Sequence, residues 1–113
     1  MKKIIHPTDF SENASKALEY AIGLSQKFDA ELILLNIGSL PTTMNSPSSM
    51  SSFSEMEDVM KVSIMGQLRD YAASNKKTMD KNLKIQFKAK LNSSTVNGIL
   101  EAINESDADL VVV

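Results

Sequence analysis

The 113-residue sequence contains no cysteine and only one histidine, His6. Without cysteine the chain has no disulfide framework, no thiolate metal site and no cysteine nucleophile. A single histidine with no second histidine or cysteine also disfavours a transition-metal site, which needs several such ligands. We therefore predict that His6 is a partly buried structural residue and that the chain holds no structural metal.

Long apolar runs and an excess of basic residues are also missing. The longest apolar runs, such as Leu32–Leu35 and Leu110–Val113, are far shorter than the roughly 18 residues that a membrane span needs. The N-terminus lacks the apolar core and cleavage site of a signal peptide. Twelve basic and 14 acidic residues give a net charge of −2, which argues against nucleic acid and anionic membranes as partners. We expect a cytoplasmic protein.

The hydrophobic pattern predicts one domain in which four strands alternate with three helices. The strands are predicted at 2–7, 31–37, 84–91 and 110–113. The helices are predicted from an N-cap at Ser11 to about Asp29, from Ser54 to about Asp80, and up to about Ser106. Leu32–Leu35 is apolar on both sides, which is typical of a strand covered on both faces. This alternation predicts an α/β fold whose parallel sheet has helices on both faces and a ligand crevice at the carboxyl ends of its strands.

Apolar residues at helical spacing predict the buried faces of the helices. The first helix carries Ala14, Ala17, Leu18, Ala21 and Ile22, with Phe28 extending the stripe; the second carries Met56, Met60, Ile64, Leu68, Tyr71 and Ala72; the third carries Val96, Ile99, Leu100 and Ile103. The third strand instead alternates apolar residues with lysines, which suits the edge of a sheet.

The segment 38–54 is predicted to be a long serine-rich loop, because residues 38–53 contain six serines and two prolines but no charged residue. Two interpretations remain open for it. It could be an apolar lid carrying Met44, Met50 and Phe53, or a disordered excursion. Ser54 and Glu57 fit a capping box for the helix that follows.

Four segments of the chain resemble the universal stress protein family. They are Ile4–Ser11 (IIHPTDFS), which is the most specific, and Glu31–Ile37, Gly98–Ala102 and Asp107–Val113. The resemblance spans the whole chain apart from the serine-rich segment and parts of the second helix. It implies a Rossmann-like fold of the adenine nucleotide alpha hydrolase-like type, with strand order 3-2-1-4 and the family's fifth strand absent. It also implies a homodimer.

The same resemblance implies a site for ATP or AMP at the ends of strands 1 and 4. The family roles would place Pro7, Thr8 and Asp9 against the adenosine, with Asp9 as the polar anchor, and the backbone of Ile37 against adenine. Val113 would be the last residue before the phosphate loop. Mg²⁺ would enter only with ATP, and no other metal is expected.

The glycine-rich phosphate loop of nucleotide-binding family members has no counterpart in the sequence. In those members glycines after strand 4 let backbone N–H groups wrap the phosphates. The glycines of this chain, at positions 23, 38, 66 and 98, are scattered instead, and strand 4 would be a bare apolar edge. We expect that the domain continues beyond Val113 in its parent protein or that another chain covers this edge.

Two classes of function follow. The first is a regulatory protein that binds an adenine nucleotide and is not an enzyme, because no residue pattern supports acid–base catalysis or ATP hydrolysis. The alternative is a non-nucleotide-binding dimerisation or protein-interaction module of the same fold. A phosphoacceptor receiver domain is disfavoured, since Asp9 stands alone after strand 1 and strand 3 ends in Asn92. Asp9 also has a purely structural interpretation, because aspartate after a strand commonly forms a turn.

Overall fold

The computed structural model describes residues 2–39, 50–75 and 82–113; for residues 50–54 it describes the backbone only. Its elements follow the predicted alternation: β1 (Lys3–Pro7), α1 (Glu12–Lys27), β2 (Glu31–Gly38), α2 (Met50–Ser74), β3 (Ile85–Leu91), α3 (Thr95–Ser106) and β4 (Leu110–Val111). Within these residues the strands form a single parallel sheet in the order β3-β2-β1-β4. The predicted parallel sheet and strand order are confirmed.

Helices cover both faces of the sheet, as the apolar centre of β2 predicted. Side chains such as Ile4, Leu32 and Leu34 are buried against α1 and α2. The alternate residues, such as Ile33 and Leu35, are buried against α3. Because successive strand side chains point to opposite faces, the apolar run in β2 supplies both layers of the core.

Helix α1 begins where its sequence predicts and ends one residue before Phe28. The Ser11 hydroxyl accepts a hydrogen bond from the amide of Ala14 at 3.1 Å, which confirms Ser11 as the N-cap. Phe28 was expected to extend the buried stripe, but it is 46% exposed and lies beneath the Lys27 ammonium. Helical spacing no longer applies at Phe28, because it is the C-cap and Asp29 follows with φ 51°.

Helix α2 begins at Met50, four residues before the predicted N-cap at Ser54. The capping-box prediction is wrong, since Ser54 and Glu57 both lie inside the helix. Once the buried face around Leu68 has nucleated the helix, each added residue costs little, so the helix extends through serines that tolerate it. The rest of the predicted loop, 40–49 with Met44, and the predicted helix end at 76–80 lie outside the described residues, as do the side chains of Met50 and Phe53.

Strand β4 is shorter than the predicted 110–113. Its ladder with β1 pairs Ile4 with Leu110 and Ile5 with Val111 and then stops. In this register the next amide that β1 could offer to β4 belongs to residue 7. Residue 7 is Pro7, which has no N–H, and so β1 itself ends the ladder.

Strand β3 is an edge strand, as its lysines predicted, and an ion-pair cluster ties it to α3. Lys88 Nζ lies 2.8 Å from Glu105 Oε2, and Lys90 Nζ lies 3.2 Å from Glu101 Oε2. Lys90 also pairs with Glu105. Glu105 therefore joins two lysines of the strand to one carboxylate of the helix.

We expect Glu105→Gln to lower the free energy of unfolding near neutral pH. Hydrogen bonds from Lys88 and Lys90 lower the pKa of Glu105 from 4.5 to about 2. A carboxyl with a depressed pKa in the folded state stabilises the fold above its unfolded value, and that contribution is lost as pH falls from about 4.5 towards 2. Urea unfolding at several pH values should therefore show a smaller acid-side loss in Glu105→Gln than in the wild type.

Glu19→Gln is the matched control, because Glu19 is exposed on α1 and forms no ion pair with the described residues. Its acid-side loss should equal that of the wild type. If Glu105→Gln loses as much stability as the wild type between about pH 4.5 and 2, the ion-pair cluster contributes nothing to the fold.

Candidate functional site

A pocket of about 460 Å³ opens at the carboxyl edge of the sheet. The ends of β1 and β2, the first turns of α1 and α3, and the residue that ends the described chain after β4 all line it. The structure brings together around this pocket all five residues that the sequence singled out: Pro7, Thr8, Asp9, Ile37 and Val113. Their contact with a nucleotide stays a prediction.

The turn after β1 fixes the position of Asp9. The amide of Ser11 donates to Asp9 Oδ1 at 2.9 Å, and the amide of Phe10 donates to Thr8 Oγ1 at 3.0 Å. Phe10 itself has φ 65°, a left-handed conformation that is unusual for a bulky residue. The structural role predicted for Asp9 as a turn residue is therefore confirmed.

The turn leaves some hydrogen-bond acceptor positions of the Asp9 carboxylate free. Hydrogen bonds from Ser11 lower the pKa of Asp9, so the group is ionised at neutral pH. An ionised carboxylate offers about four acceptor positions, and the backbone bond of the turn uses one of them. Because Asp9 is exposed at the pocket, it can hold the turn and accept hydrogen bonds from a ligand.

The wall of the pocket on the α3 side depends on Gly98. A Cβ atom on Gly98 would lie 2.9 Å from Ile37 Cγ2, closer than real Cβ contacts allow, and 3.3 Å from Asn92 Cβ, which is a tight contact. The missing side chain lets α3 pack directly on the end of β2. Ile37 and Ile99 then form an apolar wall opposite the polar turn.

His6 lies under the pocket and is completely buried. Its Nδ1 is 2.7 Å from the carbonyl oxygen of Val112, and its Nε2 is 3.0 Å from the Tyr71 hydroxyl. A carbonyl can only accept, so Nδ1 carries the proton and donates it to Val112, while Nε2 accepts from Tyr71. Burial lowers the pKa of His6, which favours this neutral form. The predicted structural histidine is confirmed, although it is fully rather than partly buried.

Several pocket residues were not singled out from the sequence, among them Asn36 and Thr95. The Asn36 amide donates from Nδ2 to the carbonyl of Thr8 at 2.8 Å and so ties together the ends of β1 and β2. The signal that could have found them is positional. In a parallel sheet, the last residues of each strand and the first residues of each following helix meet at one edge.

The described residues show no cluster of three or more His, Asp or Glu side chains that could hold a metal ion. In the same part of the chain, no helix is long and apolar enough to cross a membrane.

The sheet order, the layering and the pocket at the strand ends define an α/β protein of the Rossmann-like type. Comparison with protein families makes this assignment specific. The family model described as "Universal stress protein family" matches residues 1–113. The chain therefore belongs to the universal stress protein family, as the resemblance of its sequence implied.

Solved structures of this family share the fold. A universal stress protein crystallised in complex with cAMP is 21% identical with a TM-score of 0.71, and the match covers 99% of this chain and 75% of that one. The protein UspA from Lactobacillus plantarum is 21% identical with a TM-score of 0.67, covering 98% and 74%. A family member from Burkholderia pseudomallei is 20% identical with a TM-score of 0.63, covering 97% and 78%. A comparison with curated proteins found no significant match.

Proposed function

We propose that this universal stress protein binds an adenine nucleotide, ATP or AMP, in the pocket at the ends of β1 and β4. The observation that carries the proposal is the meeting of Pro7, Thr8, Asp9, Ile37 and Val113 around a single pocket of about 460 Å³. Ligand pockets for small molecules have volumes of roughly 300–1,000 Å³. The similar fold of a universal stress protein that was crystallised with cAMP adds support.

The base would lie against the apolar wall formed by Ile37 and Ile99. In a strand, the backbone N–H and C=O groups of every second residue point to the same neighbouring strand. Leu35 faces β1, since its carbonyl accepts from the amide of Thr8 at 2.8 Å. Ile37 faces the same side, beyond the end of β1 at Pro7. Its backbone N–H and C=O can therefore pair with the N1 acceptor and the amino group of adenine.

The ribose would lie at the turn after β1, where Asp9 supplies an ionised acceptor for its hydroxyls. Asp9 is also the single acidic side chain among the described residues of the pocket. Mg²⁺ is usually bound by one or two carboxylates together with phosphate oxygens. The described residues therefore fit Mg²⁺ as a companion of ATP, held by Asp9 and the phosphates.

The proposed activity is binding rather than catalysis. The only histidine of the chain uses both ring nitrogens in buried hydrogen bonds, and no second acidic side chain lies beside Asp9 in the described pocket. We also propose a homodimer in the cytoplasm without nucleic-acid or membrane partners. The net charge of −2 supports the last point. Among the described residues β4 lies at a sheet edge, which is a surface that a second copy can pair with.

Calorimetric titration of AMP and Mg-ATP into the wild type, Asp9→Asn and Asp9→Ala tests the proposal. Asparagine can keep the bond from the Ser11 amide while it removes the charge, so Asp9→Asn isolates the ligand role from the turn. Hydrogen bonds to charged groups contribute about 1.5–3 kcal/mol. We therefore expect Asp9→Asn to bind AMP about ten- to a hundredfold more weakly while it remains folded.

The possible outcomes distinguish a failure of the proposed role of Asp9 from a failure of the proposed nucleotide binding. Equal AMP affinity in the wild type and Asp9→Asn would remove Asp9 from the ligand site. No heat of binding for either nucleotide in the wild type would overturn the proposed function and favour the interaction module. That module would then be sought in the association state of the chain by light scattering.

A further inference from the structure

The regular ladder between β1 and β4 ends just after Val111, beside the pocket. The last ladder bond runs from the amide of Val112 to the carbonyl of Ile5, at 2.9 Å. The following bond would need an amide at residue 7 to donate to the carbonyl of Val112. Pro7 has none, so the backbone of β1 offers the carbonyl of Val112 no partner.

The side chain of His6 supplies the missing donor. Its Nδ1 lies 2.7 Å from the carbonyl oxygen of Val112 inside the core. The Tyr71 hydroxyl, 3.0 Å from Nε2, keeps the proton on Nδ1 by donating to the other nitrogen. The rings of His6 and Tyr71 lie nearly parallel with their centroids 6.1 Å apart, which fixes the orientation of the imidazole. A buried carbonyl that strand pairing would leave unsatisfied is thus satisfied by a side chain.

We propose that His6 is a positioning residue of the pocket: its Nδ1–H replaces the N–H that Pro7 lacks and holds residues 112–113 against β1. Val113 lines the pocket directly after this bond. The chain can thereby keep a proline at the pocket end of a central strand without releasing the neighbouring strand. The consequence for nucleotide affinity rests on the proposed function, whereas the consequence for Val112 does not.

Two variants that carry the same amide group on side chains of different length test the proposal. The amide of His6→Asn can lie near the place of Nδ1 and donate to Val112. The amide of His6→Gln reaches the place of Nε2 instead, near Tyr71. Hydrogen exchange of the Val112 amide, measured by NMR, should stay within about threefold of the wild type in His6→Asn and accelerate about tenfold or more in His6→Gln. Equal acceleration in both variants, or in neither, would overturn the proposal.

Two further measurements guard against a variant that fails to fold. Nitrogen-15 spectra of the wild type report a single imidazole, because the chain has one histidine. We expect the proton on Nδ1, and a spectrum with the proton on Nε2 would overturn the proposal. Tyr71→Phe removes the hydroxyl but leaves Nδ1 able to donate. We expect Val112 exchange in this variant within about threefold of the wild type, and an acceleration as large as in His6→Gln would overturn the proposal by assigning the restraint to Tyr71.

Titration with AMP separates the two proposals. If the wild type binds AMP, its affinity should fall about tenfold in His6→Gln and be retained in His6→Asn. Loss in both, or in neither, would refute the role of His6 in the pocket. If the wild type does not bind AMP, the proposed function fails, and the exchange rates of Val112 still decide whether His6 restrains β4.

Discussion

Gly98→Val is expected to destabilise the fold by about 1–3 kcal/mol, the usual cost of overpacking a well-packed site, and to weaken AMP binding about tenfold or more. The Cβ atom alone would lie 2.9 Å from Ile37 Cγ2, and valine adds two methyl groups. Either Ile37 moves into the pocket or α3 moves off the sheet, carrying Thr95 and Ile99 with it. Urea unfolding and AMP calorimetry on the same variant measure both effects.

Gly23→Val is the matched control for this substitution. Gly23 lies in α1, is exposed, and has nothing within 4 Å of an added Cβ. The same change there should alter stability by no more than about 0.5 kcal/mol and leave AMP affinity unchanged. If Gly98→Val is as well tolerated as Gly23→Val, the close approach of α3 to β2 does not shape the pocket.

The parts of the fold that the sequence predicted correctly depend on local signals. The apolar run Leu32–Leu35 indicated a strand covered on both faces, and the lysines of β3 indicated an edge. The serine before α1 indicated its N-cap. Each of these features was predicted from residues that lie close together in the chain, and the structure contains all of them.

Two of the errors arise from contacts with distant residues. The length of β4 is set by Pro7 on the neighbouring strand, which no pattern within 110–113 can reveal. The buried face of α3 was expected to include Val96 and Leu100, which are 66% and 53% exposed. The helix instead turns Gly98 and Ala102 to the sheet, because small residues allow close packing on Ile37 and Leu35. The spacing of apolar residues predicts where a helix lies in the sequence, but it does not determine which face of the helix packs against the sheet.

Topology predicted only the place of the candidate site, because parallel strands that alternate with helices bring the residues after each strand to one edge. The family resemblance, not the topology, singled out Asp9, Ile37 and Val113, which the structure brings together there. The contacts that order the site cross between elements and carry no sequence pattern. The bonds of His6 to Val112 and Tyr71, and of Asn36 to Thr8, are of this kind.

The free energy of unfolding is expected to fall as the solution is acidified from about pH 7 to about pH 5, and His6 is the cause. Burial lowers the pKa of His6 below its ordinary value of 6.5. Below about pH 6.5, His6 therefore binds a proton in the unfolded chain but not in the folded chain. The free energy of unfolding declines until the pH reaches the pKa of His6 in the folded state. One such group gives a slope of at most about 1.4 kcal/mol per pH unit.

The carboxyls whose pKa values the fold lowers, Asp9, Glu105 and Asp109, lose their protons well below this window. Hydrogen bonds from Ser11 and from the amides of Lys2 and Lys3 keep Asp9 and Asp109 ionised, so these carboxyls add little to the slope between about pH 7 and 5. His6→Asn keeps a donor for Val112 but cannot titrate, and urea unfolding of this variant should show a nearly flat profile between about pH 7 and 5. Parallel profiles for the two proteins, or a wild type that gains stability on acidification, would contradict a neutral, buried His6.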